Sequence, residues 1–201
     1  MPFFSKDFTA TALAPKESSG GAYLNPSSIE DGGAVRFAIL SESPLEGVEL
    51  WFNKNDGGMT KRITPSWPDP ALIAELEKAV SGTLTVRDGK PAIKACSAFF
   101  VFNYDTDRVE VFSANQKSLL ADIERLTSDE DYADLSQWDV KIARTGKGTD
   151  TKYYTSMVPT RRSNTAIAKA VIAAWDEACT AGADLEALYT GGNPFTGKAT
   201  V

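Results

Sequence analysis

The sequence of 201 residues contains no histidine. Without imidazole the chain cannot form a Ser-His-Asp triad, a Cys-His pair or a histidine-ligated metal site. Its two cysteines, Cys96 and Cys179, are too few for a four-cysteine zinc site. Catalysis would have to rely on carboxylates, lysine, tyrosine or serine alone. The sequence therefore predicts a protein that is not an enzyme and that uses no metal and no cofactor.

Long hydrophobic runs are also missing. No stretch approaches the roughly 18 consecutive apolar residues of a membrane-spanning helix. The first residues, MPFFSKDF, lack the basic start and long apolar run of a secretory signal. Two cysteines fit free thiols in a reducing compartment better than a disulfide framework. We expect a cytoplasmic location and no membrane partner.

Positive charge is scarce overall but concentrated. The formal net charge is −6, which by itself argues against nucleic acid. However, residues 136–162 carry six basic residues against Asp139 and Asp150, and residues 51–62 carry three against Asp56. Screening over roughly 8 Å at physiological salt lets a basic face act independently of a distant acidic body. On charge alone, ordinary solvated loop and strand surfaces are the commoner explanation of such blocks.

Alternating and helical patterns predict the fold class. Strand-like alternation runs through residues 34–40, 47–53 and 138–144, with a doubly apolar, central-strand pattern at 94–104. Further strands are predicted at residues 108–113 and 152–158, and helices begin near Pro70, after Asn115 as a candidate N-cap, and at residues 164–181. This order predicts an α+β protein, mainly β with helices: a five- to six-stranded partly open barrel with helical insertions and a C-terminal helix.

Composition divides the chain into three parts. Residues 1–33, rich in Ser, Gly, Ala and Pro, are predicted to form an extended N-terminal arm. Residues 34–160 hold the strands of the barrel domain, and residues 161–201 form a C-terminal helix and tail. The acidic cluster of residues 129–134 is interpreted as a solvated helix start rather than a magnesium site.

Aromatic side chains accompany the basic blocks. Trp51 lies on the polar side of its predicted strand, and Tyr153 and Tyr154 follow Lys152. Base stacking on aromatics beside a cationic groove is what sequence-independent single-strand binding requires. The pattern alone leaves open that Trp67 and one of the tyrosines simply cover the ends of the barrel.

Several segments together resemble tailed-phage (cyanophage-like) single-stranded DNA-binding proteins. The likeness covers about residues 30–160 and is a pattern of strands and spacings. It is carried by GAVRFAIL (33–40), GVELWF (47–52), AFFVFNY (98–104), RVEVF (108–112), QKS (116–118), SDEDY (128–132), WDVKI (138–142), GKG (146–148) and TKY (151–153).

The resemblance implies an OB fold that coats single-stranded DNA without strong sequence preference. Such a protein supports phage DNA replication, recombination and repair in the cytoplasm of the infected bacterial host. The chain departs from large members of the family by lacking a Cys/His zinc site and an acidic C-terminal tail. The resemblance carries over a DNA-binding face of Arg36, Trp51, Lys61, Arg62, Lys141, Lys147, Lys152 and Tyr154, to which the basic blocks add Lys54 and Arg144.

A second hypothesis is an OB-fold protein-interaction or virion-associated protein that binds no nucleic acid. The acidic net charge and the apolar residues Phe3, Phe4 and Phe8 of the arm favour it. Fold alone does not decide between the two, because OB folds serve several ligand classes. Self-association through the arm or the C-terminal helix, and contacts with replication or recombination proteins, are further expectations.

Overall fold

The computed structural model describes residues 23–196, so most of the predicted arm, including its three phenylalanines, lies outside the described residues. Mixed α+β architecture is confirmed. The helices are α1 (Pro70–Val80), α2 (Lys117–Thr127) and α3 (Thr165–Thr180). The strands are β1 (Tyr23–Leu24), β2 (Ala34–Ile39), β3 (Leu45–Lys54), β4 (Met59–Thr64), β5 (Gly82–Leu84), β6 (Val86–Arg87), β7 (Lys90–Pro91), β8 (Ile93–Asn103), β9 (Arg108–Ala114), β10 (Trp138–Thr145) and β11 (Lys152–Pro159).

One sheet of nine strands dominates the fold. Its main path is β1-β9-β8-β2-β10-β11, while β3 joins through β8 and carries β4 and β5. The strand count exceeds the predicted five to six because short strands such as β1 and β5 are too brief to show a period. The pairing does not close into a ring among the strands of residues 23–196.

Strand β8 is the centre of the sheet, as its doubly apolar pattern predicts. Its first half pairs with β3, and its second half pairs with β2 along the same edge. Strand β9 lies along its other edge. The sheet therefore has two wings, which are attached to different parts of the same edge of β8. One wing is the β3–β4 pair, and the other is the β2-β10-β11 group.

We call the face of the sheet that α2 covers the inner face, and the opposite face the outer face. The inner face holds the larger apolar core. Phe37, Phe99 and Phe112 stack there, with ring centroids 4.9 to 6.4 Å apart. Helix α2 covers this face through Leu119, and Ile29 from the predicted arm joins the same cluster. Apolar burial of this kind contributes about 25 cal/mol per Å².

The outer face is covered at its middle by the C-terminal part of the chain. Val171 of α3 packs on Phe102, and the Trp175 ring lies 5.3 Å from that of Phe100. Farther on, the Tyr189 hydroxyl donates to the Glu46 carbonyl over 2.6 Å. Residues 161–196 therefore pack against the sheet.

Close packing of that segment requires a glycine on β3. A Cβ at Gly47 would lie 2.8 Å from Ile63 Cγ2 and 3.3 Å from the Tyr189 ring. A larger side chain at Gly47 would collide first with β4, at Ile63 and the Thr64 carbonyl, and would also crowd Tyr189.

The helix starts follow the predicted signals in one case and not in another. Asp69 caps α1 by accepting from the Leu72 N–H over 2.8 Å, and Pro70 occupies the first position, as predicted. The prediction that Asn115 caps α2 is wrong. Gln116 holds the cap position without a side-chain bond, because the Asn115 amide is drawn to the buried carboxylate of Glu49.

Candidate nucleic-acid interface

Strands β2, β10 and β11 place several predicted DNA-binding residues on the outer face. Lys141 lies directly opposite Arg36 on one side and Ser156 on the other. Tyr154 is opposite Ala143, one pair farther along. Directly opposed residues in an antiparallel pair project from the same face. We call Arg36, Lys141, Lys152, Tyr154 and Ser156 the hairpin face.

The cations of the hairpin face are largely free. Lys141 and Lys152 are exposed and make no ion pair or hydrogen bond through their side chains with any residue of the described range 23–196. Tyr154 is 56% exposed, and neither its ring nor its hydroxyl has a partner within that range. Lys147, in the turn between the two strands, is exposed as well. The face therefore presents an exposed aromatic ring together with lysine charges that no carboxylate of the described residues neutralises.

Arg36 differs because a buried carboxylate holds it in place. Its guanidinium forms an ion pair with Asp139 over 2.8 Å and donates to the Pro159 carbonyl over 2.5 Å. The guanidinium groups of Arg36 and Arg161 lie 6.0 and 5.1 Å from the centroid of the Tyr104 ring. These contacts fix the side chains of the outer face between Arg36 on β2 and Pro159 at the end of β11.

Asp139 is the centre of this arrangement and is fully buried. It accepts from the Tyr104 hydroxyl, the Thr160 hydroxyl and the Arg161 N–H, each over 2.9 Å. Burial, followed by the charge of Asp139, raises the pKa of Tyr104 to about 12, so the phenol stays a neutral donor. Strand β10 and the turn after β11 are thus tied together.

A second group of predicted residues lies on the other wing. We call Trp51, Lys54, Lys61 and Arg62 the Trp51 patch. Lys61 is directly opposite Trp51, and its Nζ lies 6.0 Å from the indole ring. Lys61 and Arg62 belong to β4, an edge strand paired with β3.

Carboxylates compensate the lysines of the Trp51 patch. Lys61 Nζ lies 3.6 Å from the buried Glu49, and Lys54 Nζ is bonded to Asp56 over 2.9 Å. The hydrogen bond from Lys54 is the first cause that lowers the pKa of Asp56, which keeps that exposed pair ionised at neutral pH. Arg62 donates to the Lys61 carbonyl over 3.1 Å. The patch is therefore closer to electrical balance than the hairpin face.

Arg144 lies apart from both groups. Its position, three residues beyond Lys141, turns it to the inner face, and its Nη1 donates to the carbonyls of Ser27 and Ile29 over 2.7 Å each. These hydrogen bonds hold the segment before β2 against the end of the sheet. Alternation along a strand could have revealed this, because odd offsets point to opposite faces.

The sequence did not single out two residues that lie on or beside the hairpin face. Arg161 lies beside it, stacked on Tyr104, and Ser156 lies between Tyr154 and the end of β11. The signals were present, since Arg161 belongs to the same basic block and Ser156 shares the alternation of Tyr154.

Two further findings bear on the kind of site. Within residues 23–196 no three His, Cys, Asp or Glu side chains come together in a way that could hold a metal ion. In the acidic cluster, Asp129 and Asp134 instead cap short 3-10 turns by accepting from Asp131 and Ser136 N–H groups. Every helix within residues 23–196 is too short or too polar to span a membrane.

Comparisons with protein-family models, curated proteins and solved structures find no match to this chain.

Proposed function

We propose that this protein binds and coats single-stranded DNA through the hairpin face, without strong sequence preference. One observation carries the proposal: Lys141, Lys152 and Tyr154 project from one face of two paired strands with no carboxylate partner among the described residues. A cationic track with an exposed aromatic is the combination that single-strand binding uses. The setting we propose is replication, recombination and repair of phage DNA in the cytoplasm of a bacterial host, as the family resemblance implies.

The spacing of these side chains suits a single strand. Lys152 and Tyr154 are two residues apart on β11, which is about 6.7 Å along a strand. A base could stack on the Tyr154 ring while the adjoining phosphate meets Lys152. In duplex DNA the bases are already stacked on their neighbours, so Tyr154 would find no free base. Preference for single strands follows from this geometry.

We also propose that the nine-stranded sheet is a partly open barrel of the OB class. Support comes from strand order: β10 returns across α2 to pair with β2 and not with β9, its predecessor in the chain. Such a return is the connection of a Greek key, and the OB fold is a partly open Greek-key barrel. Helix α2 covers the inner face between these strands.

Titration of a fluorescein-labelled oligo-dT, followed by anisotropy at low salt, tests the role of the aromatic. We expect Tyr154→Ala to weaken binding by about fivefold or more, since stacking contributes roughly 1–3 kcal/mol per base. Tyr154→Phe is the matched control, because it keeps the ring and should bind nearly as the parent does. A duplex of equal length should bind weakly. Unchanged affinity in Tyr154→Ala, or no binding of any strand, would contradict the proposal.

The role of the lysines is tested by the same titration over a range of salt concentrations. Removing one phosphate contact lowers the slope of log K against log salt by about one. Lys141→Ala should show this change. Lys78→Ala, which removes an exposed cation from α1 on the other wing, should leave the slope as it is.

A second candidate function, binding of a protein ligand, is favoured by a groove of about 830 Å³ on the inner side of the sheet. It runs between α2 and strands β3 and β8, with apolar walls that include Phe99 and Leu120. Because Glu42, Glu46 and Glu124 outnumber Lys117 along it, the ligand it fits is an apolar segment flanked by basic residues. A labelled Leu/Lys peptide should bind there and be weakened by Glu124→Lys.

A further inference from the structure

A pocket of about 600 Å³ lies beside the Trp51 patch, where β3, β4 and the residues after β9 meet the segments at 23–27 and 188–192. We propose that it holds one nucleobase of the bound strand and favours bases that carry an exocyclic amino group. This inference rests on the proposed function and adds a base preference to it. The volume falls within the range of roughly 300–1,000 Å³ that is usual for small-ligand pockets.

The walls of the pocket supply the groups that a nucleotide needs. Trp51 and the half-exposed Tyr23 provide aromatic surfaces. Lys61 lies on the same wall as Trp51, where its charge offsets that of Glu49. Arg62 provides a cation for a phosphate, because it has no carboxylate partner among the described residues and its guanidinium lies close to Gly191, where a Cβ would be 3.1 Å from Arg62 Cζ. Aromatic rings and cations of this kind bind a nucleotide through its base and its phosphate.

Glu49 gives the pocket its preference. The residue is only 2% exposed, and its Oε1 accepts from Trp51 Nε1 over 2.9 Å and from the Asn115 amide. Its Oε2 makes a longer contact, 3.6 Å from Lys61 Nζ, which is beyond hydrogen-bonding distance. Oε2 therefore keeps the capacity to accept a hydrogen bond from a ligand.

The chemistry of the bases then decides which of them fit. Cytosine N4 and adenine N6 are amino donors, whereas thymine presents the O4 acceptor at the corresponding position. An acceptor placed against a carboxylate leaves both groups unpaired, which is unfavourable in a partly buried site. Cytosine, with its small ring and amino group, is the natural probe, and thymine is the matched comparison.

The decisive experiment compares oligo-dC and oligo-dT of equal length at the same salt concentration. We expect tighter binding of oligo-dC by about fivefold or more, as for a single base-edge contact. Glu49→Gln should bring the ratio of the two dissociation constants towards one, because the carboxamide removes the clash with thymine O4 and can donate a hydrogen bond to it. The carboxamide keeps an acceptor for Trp51 but loses the charge.

Tryptophan fluorescence gives an independent readout should Glu49→Gln fold poorly. Addition of oligo-dC should quench the parent protein, and Trp51→Phe should abolish most of that quenching. Trp67→Phe, which removes an exposed indole outside the pocket, should retain it. Equal affinity for both strands, with fluorescence that does not depend on Trp51, would overturn the base pocket while the hairpin face stands. Failure to bind either strand would overturn the proposed function itself.

Discussion

The hairpin face and the Trp51 patch carry the same kinds of residue but differ in how much of their charge is free. Lys141 and Lys152 have no carboxylate partner among the described residues, whereas Lys54 is bonded to Asp56 and Lys61 lies 3.6 Å from the buried Glu49. A paired lysine must lose its partner before it can neutralise a phosphate. Among the lysines, the availability of the charge for a phosphate, and not its presence in a basic block, separates the two regions.

The acids of the two regions explain the difference. In the Trp51 patch, Glu49 and Asp56 stand beside the lysines that they neutralise. On the hairpin side the corresponding acid, Asp139, is fully buried and occupied by Arg36, Tyr104 and the turn after β11. These partners satisfy its charge, so Asp139 does not neutralise Lys141 or Lys152.

The largest effect is expected from removing the charge of Asp139. Asp139→Asn leaves Arg36 without its ionic partner and places an amide donor against the Arg161 N–H. Breaking a buried ion pair typically costs about 3 kcal/mol of unfolding free energy or more. Urea denaturation checks this value. Asp150→Asn, at the exposed turn, is the control and should change stability by less than about 0.5 kcal/mol. Equal effects of the two variants would remove Asp139 from its central position.

The next largest effect is expected from Arg144→Ala, which should lower the free energy of unfolding without lowering the affinity for DNA. The carbonyls of Ser27 and Ile29 would lose their charged donor, which we expect to cost about 2 kcal/mol. Affinity for oligo-dT, measured below the unfolding temperature, should stay close to that of the parent protein. A large loss of affinity in a folded Arg144→Ala protein would show that its charge reaches the DNA.

A pair of double variants tests directly whether the lysines of the two regions differ in their contacts with phosphates. Lys141→Ala/Lys152→Ala should lower the salt slope for oligo-dT by about two, one for each lost phosphate contact. Lys54→Ala/Lys61→Ala removes the same formal charge but should lower it by less than about one, because those lysines are already paired. The measurement is the anisotropy titration at several salt concentrations. The reverse ranking would place the main phosphate contacts at the Trp51 patch instead of the hairpin face.

The smallest effect concerns Cys96, which lies near Glu49 on the same side of the sheet. Burial, and then the charge of Glu49, raise the pKa of its thiol to about 11, while Lys61 lowers it. The folded state therefore holds this proton more tightly than the unfolded state, whose thiol has the ordinary value of about 9. Stability from this group is complete below pH 9 and is lost as the pH rises towards 11. The melting temperature of Cys96→Ala should fall less steeply over that range than that of the parent protein, and identical slopes would contradict this.

Much of the fold follows from local patterns. Alternation of Val35, Phe37 and Ile39 predicted β2, and the two-sided apolar run of β8 predicted the central strand. Strand β4 was missed because Met59–Thr64 is mostly polar and its pairing with β3 fixes it. The pairing of Lys141 with Arg36 could be anticipated only on the condition that their strands are neighbours.

The candidate site was less accessible from the sequence. Ion pairs such as Lys61 with Glu49, and Arg36 with Asp139, join residues of different strands. No local period encodes such contacts, because they depend on strand register across the sheet. The same holds for Asn115, whose amide bonds to Glu49 instead of capping α2.

Photocrosslinking is the most direct test of whether a single strand lies on the hairpin face. Oligonucleotides with 5-iododeoxyuridine would be irradiated in complex with the protein, and the linked tryptic peptides identified by mass spectrometry. We expect the main product to be the peptide of residues 153–161, which contains Tyr154. A main product on α2 or elsewhere in the inner groove, with none on that peptide, would contradict it.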